Sequence, residues 1–168
     1  NPMGMGPRGR GGKDTGSGKG RNAFVYVAPN STEPELYDFV EIKPRSAGYK
    51  VHFAKRRSFQ EMTSINILFE YNDRFVLAEA LGYEVYRRAG NAAAKTEFVR
   101  LHLDGRPFGY HLLIEQPNRA FLKRNKLQDD GNLYKILWYE QGVTRQHEKK
   151  TNPQNGHDDL LALLEQLD

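Results

Sequence analysis

Cysteine is absent from all 168 residues, which excludes disulfide bonds, thiolate metal sites and cysteine nucleophiles. No apolar run approaches the roughly 20 residues that a membrane-spanning helix requires. The first residues contain no apolar segment typical of a signal peptide. Neither a GxSxG nucleophile elbow nor an HExxH zinc motif occurs, so the sequence supports neither an α/β-hydrolase nor a zinc protease.

Net charge is lacking everywhere except at one end of the chain. Residues 1–21 carry five basic side chains and one acidic side chain, which accounts for the whole formal charge of +4. The remaining residues are balanced between the two signs. Apolar residues make up 38% of the chain and extend through the balanced part, so that part is able to bury a core.

The basic end is also rich in glycine, with eight of the 16 glycines in residues 3–21. Glycine at this density favours a flexible chain, and the Gly18-Lys19 pair lacks the other residues of a phosphate-binding loop. We therefore predict a flexible basic linker over residues 1–22 and a folded domain over 23–168. An RGG-like nucleic-acid arm is the alternative, but the neutral folded part argues against a specific nucleic-acid partner.

Alternation of apolar and polar residues dominates the chain from residue 23 to 139 and predicts β-strands. Residues Glu97–Glu115 alternate on both sides of Asp104-Gly105, a dipeptide typical of a tight hairpin turn. The other predicted strands are Ala23–Ala28, Tyr37–Lys43, Gly48–Ala54, Ser64–Glu70 and Gly131–Tyr139.

The longest predicted helix begins with an N-cap at Asn72 and stops at Gly90. Within it, Leu77, Leu81 and Val85 form one apolar stripe at four-residue spacing. Two shorter helices are predicted: one over Asn118–Arg124, with Asn118 as its cap, and one over Asp158–Leu167. The fold class is therefore α+β, an antiparallel sheet with helices packed on it.

Two charged residues in apolar strands are candidates for chemistry. Glu115 ends the hairpin, and Lys135 lies inside the run GNLYKILWY. Protein kinases orient ATP with a lysine from the sheet and a glutamate from a helix. The predicted helix offers Glu79 and Glu84, between which the sequence does not choose. A lysine that extends to solvent is the alternative for Lys135. The five histidines show no metal-ligand spacing, and we interpret His102 and His111 as ordinary sheet residues.

Two neighbouring segments then point to a family. GYHLLIEQPNRAFLKR (Gly109–Arg124), followed by GNLYK (Gly131–Lys135), resembles the CotH family, the spore-coat-protein-H-like atypical protein kinases. The segments Ile65–Gly90 and His147–Leu167 are also similar to that family. The similarity runs from about residue 37 to 168.

The resemblance implies a kinase-like fold whose small lobe holds ATP with Mg²⁺ (or Mn²⁺). It implies transfer of the γ-phosphate to Ser or Thr of a protein substrate. Lys135 and Glu115 become the leading nucleotide-binding candidates and are expected to share one cleft. The further candidates are Glu84, Lys50 and Lys150.

The sequence departs from the family where the catalytic acids belong. The family carries them in an N-x-D-like stretch and a P-W-D-x-D stretch, and neither occurs here. We therefore expect the nucleotide-binding portion of a longer polypeptide, whose catalytic aspartates lie beyond residue 168 and whose partner is the remainder of its own kinase domain. Alone, it should not turn over ATP. The alternative is a non-catalytic spore-coat or cell-surface module. By resemblance, the location is the spore coat, the cell surface or the exterior.

Overall fold

The computed structural model describes residues 22–136, 142 and 147–167. The predicted linker lies outside these residues, apart from Asn22, and so do positions 137–139 of the last predicted strand. Among the described helices, none has the length and hydropathy needed to cross a membrane.

A six-stranded sheet with antiparallel neighbours forms most of the structure, which confirms the α+β prediction. Its strands lie in the order β1-β2-β3-β4-β6-β5. Their bounds are β1 Asn22–Val27, β2 Pro34–Arg45, β3 Gly48–His52, β4 Ser64–Leu68, β5 Thr96–Leu103 and β6 Arg106–Glu115. A separate pair contains β7 (Tyr134–Ile136) and β8 (His147–Lys149), and the helices are α1 Ala78–Arg88, α2 Arg119–Arg124 and α3 Asp158–Glu165.

The long strand β2 gives the sheet its half-barrel shape because it pairs with two neighbours in turn. Residues 34–40 pair with β1, and residues 41–45 pair with β3. The β1–β2 register shifts beside Phe39, whose φ of 58° is rare outside glycine and marks a bulge. The curled sheet encloses the main core, built from Val40, Val51, Phe53, Phe59, Met62, Ile65, Ile67 and Leu113 among others.

The β5–β6 hairpin forms as predicted. Asp104 and Gly105 have φ values of 49° and 75°, as a two-residue turn that matches the strand twist requires. Strand β6 is buried on both faces at its end. Leu113 faces the main core, whereas Leu112 and Ile114 form a smaller cluster on the opposite face.

Helix α1 covers that smaller cluster, but it does so with a different face from the predicted one. Ala80 and Tyr83 pack against the cluster, while the predicted stripe of Leu77, Leu81 and Val85 is 56–65% exposed. The spacing identified an apolar stripe correctly, yet it carried no information on which face meets the sheet.

The predicted N-cap of α1 is also wrong. Residues 73–77 form turns before the helix begins at Ala78. The Asn72 side chain instead accepts a hydrogen bond from the Arg74 amide at 3.1 Å, which closes the first of these turns. The stop at Gly90 is confirmed: its φ of 83° ends the helix, and the Asn91 amide donates to the Tyr86 carbonyl.

The last predicted strand is shorter at its start than expected, because side chains from beyond β8 take up the polar groups of residues 130–133. The Thr151 hydroxyl donates to the Gly131 carbonyl at 2.7 Å and accepts from the Leu133 amide at 2.8 Å. Asn152 donates to the Asp130 carbonyl at 3.0 Å. These bonds shape a loop, and strand pairing begins only at Tyr134.

Candidate functional site

The termini of three neighbouring strands lie side by side and line a cavity of about 410 Å³. His52 pairs with Ser64, and Ile65 pairs with Glu115, so the end of β3, the start of β4 and the end of β6 are adjacent. These strand ends and the segment that leads into α2 form one side of the cavity, the sheet wall. Glu148, Lys149 and Lys150, at the end of β8, form the opposite side, the hairpin wall.

The polar part of the sheet wall is fixed by its own hydrogen bonds. Asn118 donates to the Thr63 hydroxyl at 3.1 Å and caps α2 by accepting from the Ala120 amide at 2.8 Å. Gln116 accepts from the Asn66 side chain at 3.1 Å. Ser64, which also lines the cavity, is 3% exposed. The backbone after β6 is therefore held in one position against β4.

Directly behind this wall, Glu115 is buried in an ion pair. It is 1% exposed, and its carboxylate accepts from Arg124 through Nε at 3.0 Å and also through Nη2. The Lys95 amide donates to the same carboxylate at 3.0 Å, and Arg124 donates to the Ala93 carbonyl at 3.2 Å. Glu115 thus ties β6 to α2 and to the start of β5. It does not line the cavity.

The cavity itself is strongly cationic. Among the described lining residues, Lys50 and Lys55 contribute from the sheet wall, and Lys149 and Lys150 from the hairpin wall, against one carboxylate, that of Glu148. Burial lowers the pKa of Lys50, and the nearby charges of Arg45 and Lys150 lower it further. Burial also lowers the pKa of His52, with Lys50 adding to the effect. Cations from the two walls are therefore close enough to repel each other.

The hairpin wall is attached by polar contacts to helix α3. Lys149 donates to the Gly156 carbonyl at 2.6 Å, and its Nζ lies 5.4 Å from the ring centroid of Tyr134. The Tyr134 hydroxyl donates to Asp159 at 2.6 Å. Hydrogen bonds from Tyr134 and Asn132 lower the pKa of Asp159 to about 2. This side of the cavity is held by hydrogen bonds and charge, and α3 has no buried residue.

Lys150 is the hairpin lysine whose ammonium group faces a carboxylate of its own strand. Its Nζ lies 2.5 Å from Glu148, and its side chain is 16% exposed. Glu148 faces Lys150, and Asp159 lies 3.7 Å from Lys149. Among the described residues the four lysines still outnumber these carboxylates, so the cavity retains a positive potential suited to an anion. Both Lys50 and Lys150, which the family resemblance singled out, line it.

Lys135 lies elsewhere, on β7 and opposite Glu148 in the strand register, with its side chain exposed. It acts on Glu79 of α1: burial raises the pKa of Glu79, and the charge of Lys135 opposes that rise. Glu84 instead pairs with Arg87 and Arg88, and the hydrogen bond from Arg88 is the main cause of its lowered pKa. Of the two candidate glutamates, Glu79 is therefore the one on whose pKa the charge of Lys135 acts.

The structure does not bring Glu115 and Lys135 into one cleft. Glu115 is enclosed with Arg124 beneath the sheet wall. Neither Glu115 nor Lys135 lines the cavity. A carboxylate that ends an apolar strand fits a buried structural ion pair as well as it fits a ligand-binding group. The arginine nine residues later, inside the predicted α2, was the signal for the structural role.

Several cavity residues were missed by sequence reasoning. Lys149 directly precedes the predicted candidate Lys150, but strand alternation gave no reason to expect its ammonium group to be buried. Ser64 begins β4 and Thr63 precedes it, and neither belongs to a motif. Gln116 and Asn118 lie in the segment that resembles the family. Of their roles, only the helix cap at Asn118 was predicted, and it is confirmed.

Within the described ranges, no three His, Asp or Glu side chains are grouped so that they could hold a metal ion. His102 and His111 lie on β5 and β6, as predicted, and His111 is packed against Phe108. The described cavity residues therefore suit an anion, and they do not by themselves form a metal centre.

Comparison with known proteins gives two matches. The family model for CotH kinase protein matches residues 43–168. Inner spore coat protein H of Bacillus subtilis (strain 168) is 23% identical over 92 residues, which cover 55% of this chain and 25% of that protein. The matched part thus spans about a quarter of the length of this curated relative.

Proposed function

The chain belongs to the CotH kinase protein family, and we propose that it forms the nucleotide-binding portion of an atypical protein kinase. In this proposal the phosphate groups of ATP occupy the cavity between the sheet wall and the hairpin wall. The γ-phosphate is destined for Ser or Thr of a protein substrate.

The observation that carries the proposal is the placement of Lys50 and Lys150 on opposite walls of one cavity. Their mutual repulsion contributes to the lowered pKa of Lys50, so the arrangement costs stability when the cavity holds no anion. A bound polyphosphate removes that cost because it supplies negative charge between the two ammonium groups. Repelling cations kept together in a cavity are typical of functional sites.

Lys135 and Glu79 form a second element of the proposal. Protein kinases orient ATP with a sheet lysine paired to a helix glutamate. Here the charge of Lys135 acts on Glu79, but neither residue lines the cavity, so we propose that they position the hairpin and α1 around the nucleotide and do not contact its phosphates. We assign Glu79 to this role in preference to Glu84, because the carboxylate of Glu84 is engaged by two arginines of its own helix. Glu115 supports the site from behind, and we propose that it positions Gln116 and Asn118 without touching the nucleotide.

ATP would enter as its Mg²⁺ (or Mn²⁺) complex. Glu148 is the one carboxylate among the described cavity residues, and it faces Lys150. Phosphoryl transfer requires acidic residues that bind the metal and orient the acceptor hydroxyl. We propose that these acids belong to the remainder of the kinase domain, and that residues 1–168 alone bind ATP without consuming it.

The relative that carries the name of an inner spore coat protein points to the proposed location, the spore coat. The exposed stripe of Leu77, Leu81 and Val85 is the surface on which we propose that the remainder of the kinase domain packs. In conventional kinases the position of this helix controls activity, so a partner on this face would act on Glu79.

A non-catalytic coat module is the second candidate, and the same exposed stripe favours it, since an apolar helix face also suits assembly with other proteins. The candidates differ in the longer protein. If it is a kinase, Lys135→Met and Glu79→Gln abolish autophosphorylation, whereas the matched variant Glu84→Gln retains it. A longer protein that never transfers phosphate supports the coat module.

The direct test is calorimetric titration of residues 1–168 with MgATP. Lys50→Met and Lys150→Met each remove one ammonium group with little change in side-chain length. Each should weaken binding by roughly tenfold to a hundredfold, the worth of one charge-assisted contact.

The matched control is Lys123→Met, which removes an exposed lysine of α2 that faces Asp129 and does not line the cavity. Its affinity for MgATP should equal that of the unmodified protein. Equal losses in all three variants, or no binding by the unmodified protein, would contradict the proposal.

A further inference from the structure

Strand β3 contributes a second ionisable side chain to the cavity, the imidazole of His52. Successive side chains of a strand point to opposite faces, so Lys50 and His52 lie on one face of β3 and Val51 lies on the other. Val51 is buried in the main core, whereas Lys50 and His52 are half-buried and line the cavity. In the strand register His52 pairs with Ser64, another cavity residue. The ring of His52 therefore belongs to the sheet wall, on the same side as the ammonium group of Lys50.

The charges on the sheet around His52 favour the neutral form of its ring. Burial is the main cause of its lowered pKa, and the positive charges of Lys50, Lys43 and Arg45 lower the pKa further. Glu41, which pairs with His52 across β2 and β3, acts in the opposite direction. The Glu41 carboxylate also faces Lys43 at 3.3 Å, so its negative charge is shared. Because its pKa lies below the ordinary value of 6.5, the imidazole is mostly neutral at neutral pH.

The other charged groups of the cavity lie on the hairpin wall and just after β3. Glu148 faces Lys150 on the hairpin wall, Lys149 lies between them in sequence, and Lys55 follows β3. A polyphosphate between the two walls brings several negative charges near the imidazole, and a nearby opposite charge favours the protonated form of a titratable group. Binding of the ligand should therefore raise the pKa of His52.

Hydrogen bonding favours the same change. A neutral imidazole carries one N–H donor and one acceptor nitrogen, whereas an imidazolium carries two donors. The oxygens of an ionised phosphate only accept, and hydrogen bonds with ionised partners are stronger than those between neutral groups. We infer that His52 binds a phosphate group of the ligand as an imidazolium and takes up a proton from solvent when the ligand binds. The inference rests on the proposed function and deepens it, because it names a residue that couples occupancy of the cavity to pH.

The direction of the coupling follows from the two pKa values of His52, one for the empty cavity and a higher one for the occupied cavity. Between these two values the ring is neutral without ligand and protonated with it, so binding takes up a proton. Polyphosphate affinity should therefore rise as the pH falls through this interval. Below the lower value the ring is protonated in both states, and His52 contributes no further rise.

Isothermal calorimetry of residues 1–168 measures the proton uptake directly. MgATP and inorganic tripolyphosphate with Mg²⁺ are each titrated at neutral pH in phosphate-free buffers of different ionisation enthalpy. The slope of the observed heat against that enthalpy gives the protons taken up for each ligand bound. The matched variants are His52→Gln and His102→Gln, the second at an exposed position of β5 that does not line the cavity. With both ligands, the unmodified protein and His102→Gln should take up the same fraction of a proton, and His52→Gln should take up less.

The same titrations at several pH values give the affinity. At about pH 6 His52→Gln should bind roughly tenfold more weakly than the unmodified protein, and at about pH 8 the two affinities should agree within about threefold. Titration of the free ligand is common to both proteins and cancels in this ratio.

A nuclear magnetic resonance titration of the histidine ring protons needs no variant with an altered fold. In the unmodified protein, the curve of chemical shift against pH for His52 should move to higher pH when tripolyphosphate is added. The curve for His102 should stay in place.

The outcomes separate this inference from the function on which it rests. If MgATP binds and His52→Gln matches the unmodified protein in proton uptake and in affinity at every pH, the inference is overturned and the nucleotide-binding function stands. The same holds if the His52 curve does not move, or if the loss appears with MgATP and not with tripolyphosphate, which would place His52 beside the nucleoside. An equal loss in His102→Gln would also overturn it, since the effect would not come from the cavity. If neither ligand binds, the proposed function fails, and the role of His52 fails with it.

Discussion

The two walls of the cavity are built on different physical principles. The sheet wall belongs to a curled sheet with a large apolar core and a buried ion pair behind it. The hairpin wall belongs to a pair of three-residue strands, β7 and β8, which hydrogen bonds connect to helix α3. That helix has no buried residue. The sheet wall is therefore expected to carry the stability of the domain, and the hairpin wall to carry charge for the ligand.

Removing Glu115, behind the sheet wall, is expected to cause the largest loss in the free energy of unfolding. Glu115→Ala leaves the Arg124 guanidinium unpaired beneath the sheet wall, and the loss of one partner of a buried ion pair costs about 3–5 kcal/mol. Urea denaturation should show this as a lower midpoint with an unchanged slope. The matched variant is Glu84→Ala, whose carboxylate also pairs with two arginines but on the exposed face of α1. It should lose far less stability, since water solvates the freed arginines. Similar losses in the two variants would show that burial does not distinguish the pairs.

Raising the pH tests whether ligand affinity depends on the positive charge of Lys50. Burial and neighbouring cations lower the pKa of Lys50 from its ordinary value of 10.5. Its charge is present below the lowered pKa and is lost above it, so tripolyphosphate affinity should begin to fall before the pH reaches 10.5. Arginine stays charged to above about pH 12, so in Lys50→Arg the decline should start at higher pH. Coincident pH profiles for the two proteins would exclude Lys50 from the site.

A smaller effect is expected where the hairpin wall is anchored. Asp159→Asn keeps an acceptor oxygen for Tyr134 but removes the negative charge 3.7 Å from Lys149. The hairpin wall should become less well positioned, and MgATP affinity should fall by less than about tenfold. The melting temperature should change little, because α3 contributes no buried residue. A large drop in melting temperature with unchanged affinity would reverse the roles assigned to the two walls.

The smallest effect is expected on the exposed stripe of α1. Leu81 is 57% exposed, so Leu81→Gln should change the free energy of unfolding by no more than about 0.5 kcal/mol. Leu113→Ala in the main core, at 2% exposure, is the reference and should cost about 2–5 kcal/mol. A comparable cost at Leu81 would mean that the stripe is already covered within this chain.

The sequence was most informative where local chemistry decides the structure. The Asp104-Gly105 turn, the stop at Gly90 and the cap at Asn118 follow from side-chain size and local hydrogen bonding, and all three are confirmed. The strands of the sheet were located because alternation records which side chains face the core.

The sequence was least informative where contacts between segments that are distant along the chain determine the structure. The face of α1 that meets the sheet depends on Leu112 and Ile114, some 30 positions away, which no helical spacing reveals. The partner of Glu115 was likewise hidden, because a strand-end carboxylate looks the same whether it faces Arg124 or a ligand. The cavity exists only because β8 returns to the edge formed by β3, β4 and β6, so Lys50 and Lys150 were individually named without any predicted contact between them.

The most direct measurement of the central claim, that phosphate binds between the two walls, is labelling with an acyl phosphate derivative of ATP. This reagent transfers its acyl group to lysines beside the phosphate chain, and mass spectrometry identifies them. We predict that Lys50 and Lys150 are labelled, that excess MgATP suppresses their labelling, and that Lys123 of α2, which does not line the cavity, shows no such protection. Labelling spread over exposed lysines and insensitive to MgATP would contradict the account.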